Sequence, residues 1–190
     1  MLEGLAVAVL EKGYAATTIA DIARLGRVSK SAIYEHFSDK EDAFIALHQA
    51  ITLRILERII ESERATAQIP DWRERVRCIV RGYIDAATTE PTYLPLALVE
   101  AATVSPRARA SQQAAHDRFA ERLQHMSRDL ARDTPQVRPL TRELALGAVG
   151  ALNELVVRAA PGGPSALRRI EGPAGEILQR FLYADGRALG

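Results

Sequence analysis

The stretch from Gly13 to Phe44 constrains this chain more than any other. It holds two short helical segments separated by a few residues, and neither has enough apolar positions to fold alone. Thr17 and Thr18 can cap a helix running to about Arg24, with Asp21 in its first turn. A break at Leu25-Gly26-Arg27 separates it from a second segment over residues 29–37. Ile19, Ile22, Ala23, Val28, Ile33 and Phe37 supply a shared inner face, and a preceding apolar helix over residues 2–12, stopped at Gly13, packs across it. Ala23 is small where two crossing helices must approach closely. This is helix-turn-helix geometry, in which the second helix enters a DNA major groove and the first lies across the backbone.

The rest of the chain is punctuated in the same way. Ser38-Asp39-Lys40-Glu41 reads as a capping box, the serine accepting a backbone N–H and the glutamate reaching back. It opens a long helix over residues 39–67 with two apolar stripes, Phe44-Leu47-Ile51-Ile55-Ile59 and Leu53-Leu56-Ile60. Two stripes imply burial on more than one side. Pro70-Asp71 with Glu74 restarts the chain as a helix to Thr88, and Pro91 and Pro95 bracket a shorter, broken one. Ser105-Pro106 opens a helix to about Arg132. Residues 141–160 form another, closed by Pro161-Gly162-Gly163-Pro164, and a last helix lies within residues 166–183. No segment alternates as a strand does, and aromatics are scarce at 5%. The fold class is all-α, with about nine helices.

Composition excludes several classes. A formal net charge of +1 with 47% apolar residues is not that of a disordered chain. The single cysteine, Cys78, excludes an intrachain disulfide framework and a multi-thiolate metal site. Residues 1–10 are apolar but carry Glu3, lack a basic leader and run straight into Glu11-Lys12, so they do not read as an export signal. No uninterrupted apolar run approaches the ~20 residues of a membrane span. The expected compartment is the cytoplasm.

Gly13-Tyr14, Thr17-Thr18-Ile19, Ile22-Ala23, Val28-Ser29-Lys30, Ile33-Tyr34, His36-Phe37 and Lys40-Glu41 stand in one order and spacing over about 30 positions. In this stretch the sequence resembles the tetracycline-repressor (TetR) family. The resemblance implies a three-helix DNA-binding domain over residues 1–43 and a larger ligand-sensing and dimerisation domain over residues 44–190. The last two long helices would pair with those of a second subunit. Residue by residue, Thr18 matches a phosphate contact, and Ser29, Lys30, Ser31 and Ala32 match the leading residues of the recognition helix. Tyr34 and His36 match positions near or against the phosphate backbone, and Lys40 matches a phosphate contact at the start of the long helix.

Arg27 departs from that pattern, standing where the family usually has glycine, with Gly26 one position early. A left-handed residue at Arg27 costs about 1–2 kcal/mol; a turn re-centred on Gly26 avoids it. Arg27 is also placed to meet phosphate. The first helix starts later than is usual in the family. Residues 1–43 hold Lys12, Arg24, Arg27, Lys30 and Lys40 against Glu3, Glu11, Asp21, Glu35, Asp39, Glu41 and Asp42. Counterion release is therefore expected to contribute modestly to DNA affinity.

In the larger domain, Trp72, Tyr83, Tyr93, His116, Phe119 and Asn153 are candidates to line an effector pocket, though each residue type is also ordinary core. Gly147, Ala148 and Ala151, with Leu144, Leu152, Leu155 and Val156, suit a tight helix bundle, which the resemblance places across a two-fold axis. Asp117, Glu121, His125 and Asp129 share one helix face and are metal-ligating types. They interleave with Arg118 and Arg122 and read as a solvated face, so no metal is expected. CxxC, HExxH and a phosphate-binding glycine loop are all lacking, so neither a cofactor nor an enzyme activity is expected. The reading is a ligand-responsive transcriptional regulator, most simply a repressor. It would bind double-stranded operator DNA as a homodimer and be released by a small, mostly apolar effector. Two other classes stay open: a helical dimeric small-molecule-binding module with weak or no DNA binding, and an all-α enzyme.

Overall fold

Side-chain caps set most of the helix starts. In the computed structural model, which describes residues 1–89 and 104–184, Thr18, Ser29 and Thr141 each accept a backbone N–H as N-caps. Ser105 Oγ likewise accepts from the Ala108 N–H at 3.0 Å, and Asp71 Oδ1 from Arg73 at 2.9 Å. The helices are α1 (Leu2–Ala16), α2 (Ile19–Gly26), α3 (Lys30–His36), α4 (Lys40–Ala65) and α5 (Trp72–Thr89). They continue with α6 (Pro106–Asp133), α7 (Arg142–Ala159), α8 (Gly163–Arg169) and α9 (Glu171–Leu182). A single antiparallel bridge, Val137 with Tyr183, is the strand-like feature among the described residues. The all-α expectation is met. The broken helix expected around Pro91 and Pro95 lies outside the described residues.

Four local expectations need correction. Gly13 leaves helical geometry at φ 78°, as a stop should, but the chain resumes its turn and α1 ends at Ala16. At the start of α4 the cap is shifted by one: Asp39 Oδ1 accepts from the Asp42 N–H at 2.7 Å, and Asp42 accepts from the Ser38 N–H at 3.2 Å. Glu41 does not reach back; it accepts from Ser105 Oγ at 2.5 Å instead. The second stripe of α4 is not buried, because Leu53 is 51% exposed and Leu56 and Ile60 are half-buried. The single last helix is two, broken at Ile170. Pro173 has no N–H to give the Arg169 carbonyl and its ring would clash there, so α9 must start afresh with the proline in its first turn.

The described chain divides into two compact units, residues 1–54 with 104–115, and residues 55–89 with 116–184. The first is built on Leu5, Val9, Ile22, Ile33, Phe44 and Leu47, with Ala108. The second has a core that includes Val76, Val80, Ile84, Leu130, Val156, Leu167, Leu178 and Leu182. There, buried Ser127 anchors the link between α6 and α7, accepting from the Leu140 N–H at 2.9 Å and donating to the Gln124 carbonyl. By length and mean hydropathy (1.3) the stretch Arg142–Arg169 has the makings of a membrane span, which counting uninterrupted apolar residues did not register. It carries Asn153, Glu154 and Arg158, bends at Gly163 (φ 69°), and buries Ala145, Ala148, Val149, Leu152 and Val156 in its own unit.

Within the first unit, α1 and α2 approach at a pair of glycines. A Cβ on Gly4 would lie 2.3 Å from the Gly26 nitrogen and 2.9 Å from the Ile22 carbonyl oxygen. Backbone cannot yield as a flexible side chain can. Gly4→Ala is therefore expected to lower stability by about 1–3 kcal/mol, read by urea unfolding. An unchanged midpoint would contradict this packing.

Candidate nucleic-acid interface and effector cavity

The capping box of α2 consumes its own polar groups. Thr18 Oγ1 accepts from the Asp21 N–H at 3.2 Å and donates to the Asp21 carboxylate at 2.5 Å, which also accepts from the Thr18 N–H. Lys12 reaches the same carboxylate at 2.5 Å. The hydrogen bond from Lys12, then those from Thr18, hold Asp21 well below the usual carboxylate range. The net result is an anchored helix start in which Lys12 has its counter-ion within the fold.

The turn after α2 takes the first of its two solutions. Arg27 is left-handed (φ 52°, ψ 42°), and Val28 closes the turn by donating to the Ala23 carbonyl at 3.0 Å. Gly26 cannot be the left-handed residue, because it is the last helical position and its bare Cα faces α1: a Cβ there would lie 3.3 Å from the Met1 Cα. Glycine is used for the close approach, and the strained position falls to Arg27, at about 1–2 kcal/mol. The guanidinium is exposed and has no carboxylate partner among the described residues.

Ser29 then caps α3, accepting from the Ala32 N–H at 3.0 Å. Ile33 is fully buried and fixes the rotation of this helix. Lys30 and Ser31 are left exposed with Tyr34, which is 57% exposed, while Ala32 is half-buried. His36 is exposed near the Phe37 ring. Arg27, Ser29, Lys30, Ser31, Tyr34 and His36 thus share exposure along one turn and one helix, and Thr18 is exposed at the start of α2.

Lys40 has a different setting. Its Nζ donates to the Tyr14 and Thr17 carbonyls, each at 2.8 Å, and lies 4.2 Å from the Tyr14 ring centroid. It pairs the Thr17 carbonyl and adds a second donor to the Tyr14 carbonyl, which also accepts from the Thr17 N–H at 3.2 Å, and burial pulls its pKa down. Tyr14 in turn meets Phe44 edge-on at 5.1 Å. The ammonium expected to meet phosphate is occupied in bracketing the start of α4 to the end of α1. Sequence spacing gave no sign of this, since the partners lie 23 and 26 residues away.

The second unit contains a small apolar cavity of about 50 Å³. Of the residues expected around an effector, Tyr83, Phe119 and Asn153 line it, among Ile59, Ile79, Leu123 and Leu178. Tyr83 Oη donates to Asn153 Oδ1 at 3.1 Å, and Asn153 Nδ2 lies 3.1 Å from His116 Nε2. Burial lowers the His116 pKa and so favours a neutral ring whose Nε2 accepts from the amide. Burial raises the Tyr83 pKa, keeping its proton on the hydroxyl. Arg122, also in the wall, donates through Nε to Glu63 at 3.0 Å and through its second nitrogen to the same carboxylate. Burial raises the Glu63 pKa and Arg122 opposes that rise. Opposite charges 59 residues apart offered no sequence signal of this pair.

Several expected groupings come apart. Trp72 is not in this cavity; it lines a separate concavity with Arg73 and Tyr183. Tyr93 lies outside the described residues. Of the set expected between subunits, Ala148, Leu152 and Val156 are buried inside their own unit, and Leu152 lines the apolar cavity. Leu144, Ala151 and Leu155 are half-buried and Gly147 is exposed, on the other side of α7. On the acidic face of α6, Asp117 pairs with Arg142 at 2.5 Å and His125 with Asp129 at 2.9 Å. Among the described residues, His, Cys, Asp and Glu do not converge in threes on any point.

Residues 5–47 match the family model for bacterial regulatory proteins of the tetR family. The fold as a whole is similar to several solved structures. The fatty acid degradation regulator FadR from Bacillus halodurans is 16% identical with a TM-score of 0.78, over 93% of this chain and 91% of that one. FadR from Bacillus subtilis in complex with stearoyl-CoA is 16% identical with a TM-score of 0.77, over 96% and 97%. A TetR-family transcriptional regulator from Pectobacterium atrosepticum is 25% identical with a TM-score of 0.66, over 98% and 93%.

The two basic residues flanking α3 should respond to mutation in opposite ways. Arg27→Gly relieves the left-handed strain and is expected to raise stability by about 1 kcal/mol. Lys40→Met leaves the Thr17 carbonyl unpaired and is expected to lower it by about 1–3 kcal/mol. Thermal melts of both variants beside the parent chain check this; a destabilised Arg27→Gly would show that the turn is not strained.

Proposed function

We infer, from the match of residues 5–47 to the family model for bacterial regulatory proteins of the tetR family and from the fold shared with regulators of that family, that this chain is a ligand-responsive DNA-binding transcriptional regulator. It acts in the cytoplasm as a homodimeric repressor. The observation that carries this reading is the exposed face of α3, where Lys30, Ser31 and Tyr34 stand clear of a helix whose other side is locked by Ile33. Residues 1–43 form the DNA-binding part. α3 enters the major groove, with Ser29 and Ala32 letting the helix start lie close. Thr18, Arg27 and His36 meet the phosphate backbone, where short polar side chains and backbone N–H groups at helix starts suit an anion.

Residues 44–190 sense and dimerise. Leu144, Gly147, Ala151 and Leu155 form the α7 part of the subunit interface, and their partial exposure supports this over Ala148 and Leu152. The effector is mostly apolar with one or two polar groups, which the Tyr83–Asn153–His116 chain orients. The FadR from Bacillus subtilis was solved with stearoyl-CoA; a ligand of that length would have to open the present cavity, since ligand pockets usually span roughly 300–1,000 Å³. α4 is one unbroken helix, with residues 40–54 in the first unit and 55–65 in the second. It is the covalent route by which a bound effector changes recognition-helix spacing. A nearly complete switch requires a differential affinity of about 5.5 kcal/mol between the two states.

An electrophoretic mobility shift with DNA flanking its own gene, at low and moderate salt, tests the reading. A discrete complex is expected, its affinity falling with salt as a power of about −4. That value follows from about 0.9 per phosphate, with Arg27 and Lys30 contributing from each subunit. Tyr34→Ala should weaken the complex at least about tenfold while leaving helicity unchanged. No shift at any salt would leave a helical ligand-binding module in its place. The interface is tested separately: Ala151→Arg should give a folded monomer by light scattering, whereas an unmodified chain that is already monomeric would overturn the dimer.

A further inference from the structure

A second concavity in the second unit, of about 570 Å³, is chemically unlike the effector cavity. It lies where the start of α5, the end of α9 and the link between α6 and α7 come together, and that link is paired to the chain end through Arg138 N–H to Leu182 and Ala184 N–H to Gln136. Its walls hold three guanidinium groups and one carboxylate. Arg180 engages that carboxylate, Glu176, at 2.6 Å, which leaves Arg73 and Arg138 without a carboxylate partner among the described residues. The acids at the start of α5 do not offset them, because Glu74 and Asp71 are turned to Arg77 at 2.5 and 3.9 Å.

Both remaining guanidiniums are held in place by uncharged partners. The Arg73 group lies 4.6 Å from the Trp72 ring centroid and 5.8 Å from that of Tyr183, so two aromatic faces fix its plane while leaving its N–H edge free. Arg138 Nε donates to the Phe181 carbonyl at 3.1 Å, which orients its other two nitrogens. Guanidinium forks that are fixed in advance and lack a carboxylate partner are suited to bidentate capture of an anion. Two of them match a dianion. Tyr183, 41% exposed beside them, offers a flat apolar face.

We propose that this concavity is a binding site for a small aromatic phosphate, its phosphate held by Arg73 and Arg138 and its ring laid against Tyr183. Its size is that of a small-molecule pocket rather than a macromolecular surface. The site is separate from both the DNA-facing helix and the Tyr83 cavity, so it stands whether or not the regulatory reading holds.

Trp72 is the only tryptophan in the chain and lies in the wall of the site, so its fluorescence reports occupancy directly. The full chain is titrated with phenyl phosphate, with inorganic phosphate and p-cresol as separate arms. A saturable change is expected with phenyl phosphate in the range of about 0.1–1 mM, about tenfold weaker with inorganic phosphate, and none with p-cresol. Arg73→Gln and Arg138→Gln, both at exposed positions, should each weaken phenyl phosphate about tenfold or more. Tyr183→Ala should weaken phenyl phosphate and leave inorganic phosphate unchanged. The proposal is overturned by no saturable change up to about 20 mM, or by equal affinity in both glutamine variants. It is equally overturned by phenyl phosphate binding no tighter than inorganic phosphate, or by p-cresol titrating alike.

Discussion

The close approach of α1 to α2 at Gly4 and Gly26 governs the geometry of everything that faces outward from the first unit. With the two backbones this near, Gly26 must remain helical and side-chain-free. The chain can reverse only at the next residue, and that residue is an arginine. The strain at Arg27 thus follows from packing on the opposite side of the helix. It persists because the Leu5–Val9–Ile22–Ile33–Phe44 core over-determines the path of the chain on both sides of the turn. Moving the turn back one position would pull Val28 and Ile33 out of register with that core.

Short polar links then fix the parts that the core leaves free. Asp21 gathers Lys12 and both polar groups of Thr18, so the start of α2 is tied to the body of α1. Lys40 gathers the Tyr14 and Thr17 carbonyls, so the start of α4 is tied to the end of α1. At the other side of α4, Glu41 accepts from Ser105, and Arg107 approaches Asp39, Glu41 and Asp42 at 3.4–3.9 Å. The exposed pairs contribute little singly. Their value is geometric, since each one restricts where a helix end can swing.

What the sequence disclosed, and what it hid, divides by range. The caps at Thr18 and Ser105 are local, involving residues three apart, and are read from order alone; those at Ser29 and Thr141 are equally local but are not assigned from it. The buried positions of α2 and α3 followed from spacing for the same reason. Lys40, Glu41, Arg122 and Glu63 could not be assigned, because their partners are set by which helices meet, and charge type says nothing of that. α7 shows the limit most clearly. Its small and aliphatic residues were legible as a packing surface, but Ala148 and Leu152 differ from Ala151 and Leu155 only by the rotation of the helix. A stripe of small residues carries no mark of which side faces its own core. Trp72 was grouped with Tyr83 by residue type, yet the two open onto different spaces.

On the proposed reading, the distribution of counter-ions decides how the segment over residues 1–43 can hold nucleic acid. Of its cations, Lys12 is matched by Asp21 at 2.5 Å, and Lys40 is enclosed by carbonyls. Arg24 stands 3.9 Å from the same aspartate. Arg27 and Lys30 have no carboxylate partner among the described residues, and they lie immediately before and at the start of α3. A 1–43 segment with more acids than bases cannot attract DNA through its average charge. It can do so through Arg27 and Lys30, exposed at the start of α3 and unmatched among the described residues. Such an arrangement trades long-range attraction for placement. On that reading, non-specific association is expected to be weak, and affinity to depend on whether the backbone of the target fits the spacing of Arg27, Lys30 and the α3 start. The acidic balance therefore works in favour of discrimination: it removes most of the sequence-independent attraction and leaves the contacts that require a correct fit.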